Sequence, residues 1–274
     1  MSETLDDLDS SRIALAANRH GLANVGEIVV MARTGSTSDD ARVAAQRGAP
    51  SCSLYVANEQ ERGRGRRARS WSAPPGSGIL ASLLLRPRID ASKLPPLALV
   101  VGLAIREVIV ECLSPANAST SVHDRVKIKW PNDVLIYAKK CSGILVEASI
   151  QGTMPSSVIV GFGINVRASS LPPEVAARAT SLELAGAPVS RLDRSSILGH
   201  AIAAIATRVQ RYESAGLSPM LEELRAHDGA RGRRVRVDEQ VGIADGVADD
   251  GSLRVLTDQG LVLAHGADFL DETP

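Results

Sequence analysis

The stretch from 126 to 166 constrains the fold more than any other part of this 274-residue chain. It holds three strand-like runs, VKIKW at 126–130, GILVEAS at 143–149 and SVIVGFGINV at 157–166. The turn-forming residues 151–155 join the second run to the third. A connection that short suits neighbouring antiparallel strands, because a parallel pair needs a long crossover.

Around this centre the pattern alternates between strands and helices. Runs at 27–32, 53–58 and 79–85 read as strands. Segments 9–20, 39–46, 193–212 and 217–227 read as helices, the first with Asp9 or Ser10 as its cap and Gly21 as its stop. The clearest helix is 93–113, with Leu97, Val100, Val101, Ala104, Ile105, Val108 and Ile109 at helical spacing and Arg106, Glu107 and Glu111 expected outward. From Arg231 the texture changes to short alternating runs at 234–237, 241–247, 252–256 and 261–266 with turn residues between them, the pattern of a small barrel-like β module. The expected division is a domain over 1–228 and a second over 229–274.

Composition narrows the function. Thirty-one Lys and Arg balance thirty-one Asp and Glu, so an anion-binding site has to be local. Aromatic residues make up 3%, too few for the stacking platforms of a single-strand nucleic-acid binder. Cys52, Cys112 and Cys141 are odd in number and far apart, which gives no disulfide framework and points to a reducing cytoplasm. The opening residues, MSETLDDLDSSR, are polar and acidic without the apolar core of an export signal, and no run is long enough to span a bilayer. The sequence has no G-x-S-x-G and no H-E-x-x-H, and its histidines at 20, 123, 200, 227 and 265 are scattered.

The densest chemical signal is Gln60-Glu-Arg-Gly63-Arg64-Gly65-Arg66-Arg67-Ala-Arg69-Ser-Trp71, with five arginines in eight positions. Glycines let backbone close around a ligand, and guanidinium groups offer paired donors to phosphate or carboxylate oxygens. A solvated basic loop is the plain alternative, and Trp71 reads either as core or as a ligand platform. The G-x-G-x-x-A spacing from Gly63 to Ala68 is not a dinucleotide fingerprint, because Pro74-Pro75-Gly76 follows where a helix would have to open. A P-loop is excluded by the lack of any Gly-Lys pair. Further on, Lys129-Trp130-Pro131-Asn132-Asp133 brings an aromatic, an amide and a carboxylate to one strand end, where they suit base recognition, hydrogen bonding and metal or lysine pairing. The same Pro-Asn-Asp is also an ordinary hairpin turn. Lys139-Lys140 precedes the run at 143–149 and could neutralise a carboxylate or an α-phosphate.

GRGRR-x-R-x-W, KWPNDV, K-x-x-GILVE and GFGINV occur in that order, and the combination resembles the catalytic domain of biotin–protein ligases from about Gly35 to Val166. The module after Arg231 is similar to that family's C-terminal domain. The resemblance implies an α+β fold, a mixed and mainly antiparallel sheet flanked by helices, followed by a small SH3-like β barrel. It implies activation of biotin by ATP to biotinyl-5′-AMP, with Mg²⁺ as activator, and transfer to a lysine of a biotin carboxyl carrier domain. No specific DNA binding is implied, and the choice between a monomer and a weak homodimer stays open. With 35 residues ahead of Ser36, the monofunctional type without an N-terminal DNA-binding domain is expected.

Residue by residue, the resemblance places Ser36, Thr37, Gln60, Gly63, Arg64, Arg66, Lys140 and Gly143 at biotin. It places Arg66, Arg67, Trp71, Lys129, Asn132 and Asn165 at the nucleotide, with Trp71 covering adenine. Arg64, Arg66, Lys140 and Asp133 would carry the chemistry, and Asp133 would hold magnesium. The chain departs from the family pattern at Ser38, where an asparagine is usual, and at Arg62 and Ala68 beside the arginine core. The remaining readings are a lipoate–protein ligase with the same adenylate chemistry, and a nucleic-acid-binding module using the arginine loop.

Overall fold

A computed structural model describes residues 8–114, 121–171 and 175–270, so most of the acidic opening lies outside the described residues. Helix α1 (Ser10–Arg19) starts at Asp9, whose carboxylate accepts the Arg12 N–H at 2.7 Å and satisfies one of the open donors of the first turn. Then follow β1 (Ile28–Thr34), α2 (Thr37–Gln46), β2 (Ser53–Gln60), β3 (Gly78–Leu85), α3 (Leu97–Leu113), α4 (Ser121–Arg125), β4 (Val126–Lys129), β5 (Asp133–Ile136), β6 (Lys139–Gln151) and β7 (Met154–Asn165). After these come α5 (Arg194–Ala215) and α6 (Leu221–Ala226), then β8 (Arg234–Val237), β9 (Gln240–Val247), β10 (Leu253–Thr257), β11 (Gly260–Ala264) and β12 (Asp268–Phe269).

The first seven strands form one sheet in the order β1-β2-β3-β7-β6-β5-β4. β1 runs parallel to β2, and the other neighbours are antiparallel, including the β6–β7 hairpin expected from its short turn. α1, α3 and α5 cover one face. Along β7, Val158, Val160, Phe162 and Ile164 point into that helical core, while Ile159 packs with Ala41, Tyr55 and Leu84 on the opposite face beside α2. The two-residue period therefore turns Gly161 and Gly163 toward the α2 face. β3 divides in the same way, with Ile79, Ala81, Leu83 and Leu85 inward, which leaves Leu80, Ser82 and Leu84 on the other side.

Two expectations about α3 are corrected. The helix begins at Leu97 rather than 93, because Pro95 and Pro96 supply no N–H donors and the residue before a proline is pushed out of helical geometry. Arg106 does not point outward. It is buried, and its guanidinium donates to the carbonyls of Val126 at 2.9 Å and His123 at 2.7 Å, tying α3 to the start of β4. α3 lies between the sheet and α5, so it is apolar on nearly every side.

The C-terminal module is a five-stranded antiparallel sheet, β11-β10-β9-β8-β12. The chain enters it along β4, where the Ile128 N–H donates to the His227 carbonyl and the Gly229 N–H to the Ile128 carbonyl. Trp130 joins the two sheets directly, since its buried indole N–H donates to the Gly251 carbonyl at 3.0 Å. Among the described residues no helix is long and apolar enough to cross a membrane.

Candidate active site

A cleft of about 420 Å³ opens on the α2 face of the large sheet. Its floor is the glycine side of β6 and β7, where Gly143 pairs with Gly163 and Leu80 of β3 lies on the far side of Gly163. Both glycines are needed for what covers them. A Cβ on Gly163 would stand 2.2 Å from Trp71 Cε2, and one on Gly143 would stand 2.9 Å from Trp71 Cζ3 and 3.0 Å from Lys140 Cε. Trp71 thus sits in the cleft, on the floor, and not in the hydrophobic core.

One end of the cleft is uncharged. Here the N-terminus of α2 meets the end of β2, and the Gln60 side-chain carbonyl accepts from the Thr37 N–H at 2.8 Å and its hydroxyl at 2.9 Å. The Thr37 hydroxyl also meets Ser82 Oγ at 2.8 Å, which in turn lies 3.0 Å from Ser38 Oγ. Ser36 is buried and extended ahead of α2, and its hydroxyl makes no capping hydrogen bond. At Ser38, where the family pattern has an amide, a short hydroxyl fits under Gly161, whose Cβ would already meet Ser38 Oγ at 2.9 Å.

The other end is cationic. Seven Lys and Arg side chains line the cleft against the carboxylates of Asp133 and Asp268, although the chain as a whole is neutral. The arginine loop crosses above as a strap closed at its neck by the Trp71 N–H to the Gly63 carbonyl, 2.9 Å, with the Gly65 N–H on the Arg69 carbonyl at 2.7 Å. Gly63 allows that closure, because a Cβ there would meet the Trp71 carbonyl at 2.1 Å. Arg64 anchors the strap on both sides of the cleft, to Asp39 of α2 at 2.8 Å and Glu147 of β6 at 3.1 Å. Arg42 bridges the same two carboxylates. Burial works against ionised Asp39, yet the hydrogen bond from Arg42 and the charge of Arg64 hold it below the usual carboxylate range. Arg67 reaches the second module instead, pairing with Asp268 and donating to the Ala267 carbonyl at 3.4 Å from a left-handed backbone, φ 55°.

Between the ends, Lys140 pairs with Asp133 at 2.7 Å and sets its ammonium 5.3 Å from the Trp71 ring centre. The buried Asp133 Oδ1 has no hydrogen-bond partner besides this ion pair. Arg66 donates to Asn132 Oδ1 at 3.4 Å; its pKa is drawn down by burial and by Arg67, with Asp133 opposing. Asn132 is itself held by its amide on the Ile144 carbonyl, 2.8 Å. Lys129 is buried with its ammonium 4.6 Å from the Phe269 ring centre.

The structure therefore brings Ser36, Thr37, Gln60, Arg64, Arg66, Arg67, Trp71, Lys129, Asn132, Asp133, Lys140 and Gly143 to one cleft. Gly63 and Asn165 are not on its lining. Gly63 forms the neck of the strap, and Asn165 is buried with its amide on the Thr180 carbonyl at 3.0 Å. Trp130 lines the cleft, but its N–H is spent on the second module. Sequence reasoning missed Ser82, Gly161, Gly163, Arg178 and Phe269. Alternation along GFGIN would have found the two glycines. The others carry no local signal.

A family model described as the biotin/lipoate A/B protein ligase family matches residues 30–165. The bifunctional ligase/repressor BirA of Bacillus subtilis (strain 168) is 35% identical over 240 residues, covering 85% of this chain and 70% of that protein. The biotin–[acetyl-CoA-carboxylase] ligase of Paracoccus denitrificans is 31% identical, covering 82% of this chain and 92% of that protein. The biotin protein ligase of Aquifex aeolicus, solved with biotin and ATP, superposes with a TM-score of 0.71 at 26% identity, over 88% of this chain and 96% of that one. A cleft with one neutral and one cationic end, on this fold and with these relatives, makes the chain a member of the biotin protein ligase family.

Proposed function

We infer that this chain activates biotin with ATP to biotinyl-5′-AMP and transfers the biotinyl group to a lysine of a carrier protein. The observation that carries this reading is the division of one cleft into an uncharged, hydrogen-bonding end and a strongly cationic one, joined over a glycine floor. A small polar ring system fits the first, and a carboxylate meeting a triphosphate fits the second.

The reaction explains the charge. One oxygen of the biotin carboxylate attacks the α-phosphorus, an acyl–phosphate bond forms, and the bond to pyrophosphate breaks. Two anions must approach, and fixed positive charge in a partly closed cleft lowers the cost of doing so. Lys140 is positioned for that task, and Asp133 balances its charge until the ligand anions arrive. Arg66 sits beside it on the strap for the adenylate phosphate, while Lys129, Asn132, Arg67 and Trp71 serve the nucleotide. Gly143 keeps the floor open. In the second step the acceptor lysine's neutral amine attacks the acyl carbon, an amide forms, and AMP leaves. No nucleophile from the enzyme is required, and the strap excludes water that would hydrolyse the mixed anhydride.

Magnesium fits as the companion of ATP. Asp133 Oδ1 is a buried carboxylate oxygen paired with the Lys140 ammonium; once Lys140 turns to the ligand anions, that oxygen is left for a cation, and a cation of this type is commonly held by one or two carboxylates together with substrate phosphates. When bound, it would supply charge neutralisation on the phosphates. The acceptor is the biotin carboxyl carrier domain of a carboxylase. The arginine loop does not favour a nucleic-acid reading, because Arg64 is already paired on both sides within the protein.

The test is ATP–pyrophosphate exchange with purified protein and Mg²⁺, with biotin, with lipoate and with neither acid. Exchange that depends on biotin is expected. Exchange with lipoate alone, or with neither acid, would overturn the assignment.

A further inference from the structure

Three helices meet at a cluster that the proposed reaction does not use. His20 is the C-terminal cap residue of α1, His200 lies in α5, and Glu107 and Glu111 stand four residues apart on α3. The two imidazole rings stack at 3.8 Å between centres with 7° between their planes. Gly199 makes that approach possible. A Cβ there would lie 2.4 Å from Ala16 Cβ and 2.6 Å from the Ile13 carbonyl, so α1 and α5 touch backbone to backbone next to the histidine pair.

The buried member of the pair has a carboxylate on either side. His200 Nδ1 lies 3.2 Å from Glu111 Oε2, and Nε2 lies 3.8 Å from Glu107 Oε1. Glu107 is itself fixed by Arg208 at 2.8 Å, and Arg208 is fixed in turn by Glu223. Glu111 and His20 are exposed, and one ligand atom from each of His20, Glu111 and His200 lies within 4.8 Å of the others. We propose that His20, His200 and Glu111 form a binding site for a borderline divalent cation of the zinc class, separate from the ATP cleft.

The donor set is the argument. Imidazole nitrogen and carboxylate oxygen are the ligands zinc takes, at about 2.0–2.2 Å, in a tetrahedron that a water completes on the solvent side. Ligand atoms in such a tetrahedron stand about 3.3 Å apart, so the cluster has to contract by at most about 1.5 Å, and the His20 ring has to turn out of its stack on His200 so that the two in-plane lone pairs converge on one ion. Two of the three ligands are exposed side chains that can turn to do so, while the buried His200 stays fixed. Its Nδ1 faces the cation position and its Nε2 faces Glu107. A carboxylate behind a metal-bound histidine is the arrangement that fixes the ring and raises its basicity. Charge agrees as well. Glu107, Glu111 and Glu223 against Arg208 leave two negative charges when the imidazoles are neutral. Bound there, a cation would tie α1 to α3 and α5 and raise the stability of the fold.

The experiment uses the full chain without ATP, titrated with Co²⁺ as the visible-absorbing probe and with Zn²⁺ in competition, alongside thermal unfolding. The expected result is one saturable site with a tetrahedral cobalt spectrum, displaced by Zn²⁺, and a higher Tm when loaded. His20→Ala and Glu111→Gln alter exposed side chains and should fold. Each is expected to weaken binding by about tenfold or more, since loss of an outer partner alone costs that much. His123→Ala and His265→Ala should bind as the parent does, and biotin-dependent exchange in Mg²⁺ should be unchanged in all four. Three outcomes would overturn the site: no saturable binding in the parent, equal binding in His20→Ala and Glu111→Gln, or loss of the signal in Asp133→Asn.

Discussion

Replacing Gly163 with alanine isolates what the glycine floor does. The new methyl would sit 2.2 Å from Trp71 Cε2 and 2.3 Å from Nε1, whereas ordinary contact begins near 3.4 Å, so the indole has to retreat by about 1.2 Å. The Trp71 backbone is pinned by the neck hydrogen bond from its amide N–H to the Gly63 carbonyl, so the movement falls on the side-chain torsions. The ring therefore lifts, and its contact with the Lys140 ammonium weakens. Overpacking of this kind costs about 1–3 kcal/mol, which as lost transition-state binding is about 5- to 150-fold in kcat/KM for biotin-dependent exchange. The strap is not part of the hydrophobic core, so global stability in urea should change by less than about 1 kcal/mol. The decisive comparison is made in a Trp71→Ala background, where the methyl meets empty space and should cost almost nothing further. Parental kinetics in Gly163→Ala, or an equal loss with and without the indole, would refute the steric account. Gly102→Ala on α3 is the control, since its Cβ would meet nothing closer than 3.4 Å and should be tolerated.

Arg64→Ala should change stability by less than about 1 kcal/mol, because Arg42 still pairs with Asp39 and Glu147. It should nonetheless release or hydrolyse preformed biotinyl-5′-AMP about tenfold faster or more, as measured by single-turnover decay; unchanged decay would remove Arg64 from the site. Lys140→Met should lower exchange by about 100-fold or more while biotin binding measured by calorimetry falls less. Equal losses in both would make Lys140 a binding residue only. Burial, together with the charges of Arg106 and Lys127, lowers the His227 pKa from 6.5 to about 4. Below pH 6.5 the unfolded chain then takes up a proton that the folded chain resists, so stability is full above 6.5 and declines as pH falls toward 4. His227→Gln should flatten that limb in a series of urea midpoints against pH, and an unaltered limb would place the effect elsewhere.

Much of the fold was legible because its signals are local. The β6–β7 hairpin, the Asp9 cap and the alternating strands beyond Arg231 all follow from patterns read within about ten residues. β5 was missed because DVLI is only four residues long and follows directly on a turn. The parallel pairing of β1 with β2 was not legible either, since the intervening α2 says nothing of which strand lies beside which. Arg106 was placed outward by helical periodicity, and only the proximity of two carbonyls near β4 makes its burial favourable.

The sequence by itself determined the chemistry of the cleft: an arginine and glycine strap, two lysines, an Asn-Asp turn and hydroxyls before a helix, each recognisable by residue type and spacing. Tertiary structure decided how that chemistry is arranged. It set Lys140 on Asp133, tied Arg64 across the cleft to Asp39 and Glu147, and sent Arg67 to Asp268 in the second module. It also stacked His20 on His200, residues that no sequence window joins. The physical reason is the same in each case. A side chain's chemical nature is fixed by its own atoms, but its charge partners and burial depend on which distant backbone segments pack within a few ångströms of it.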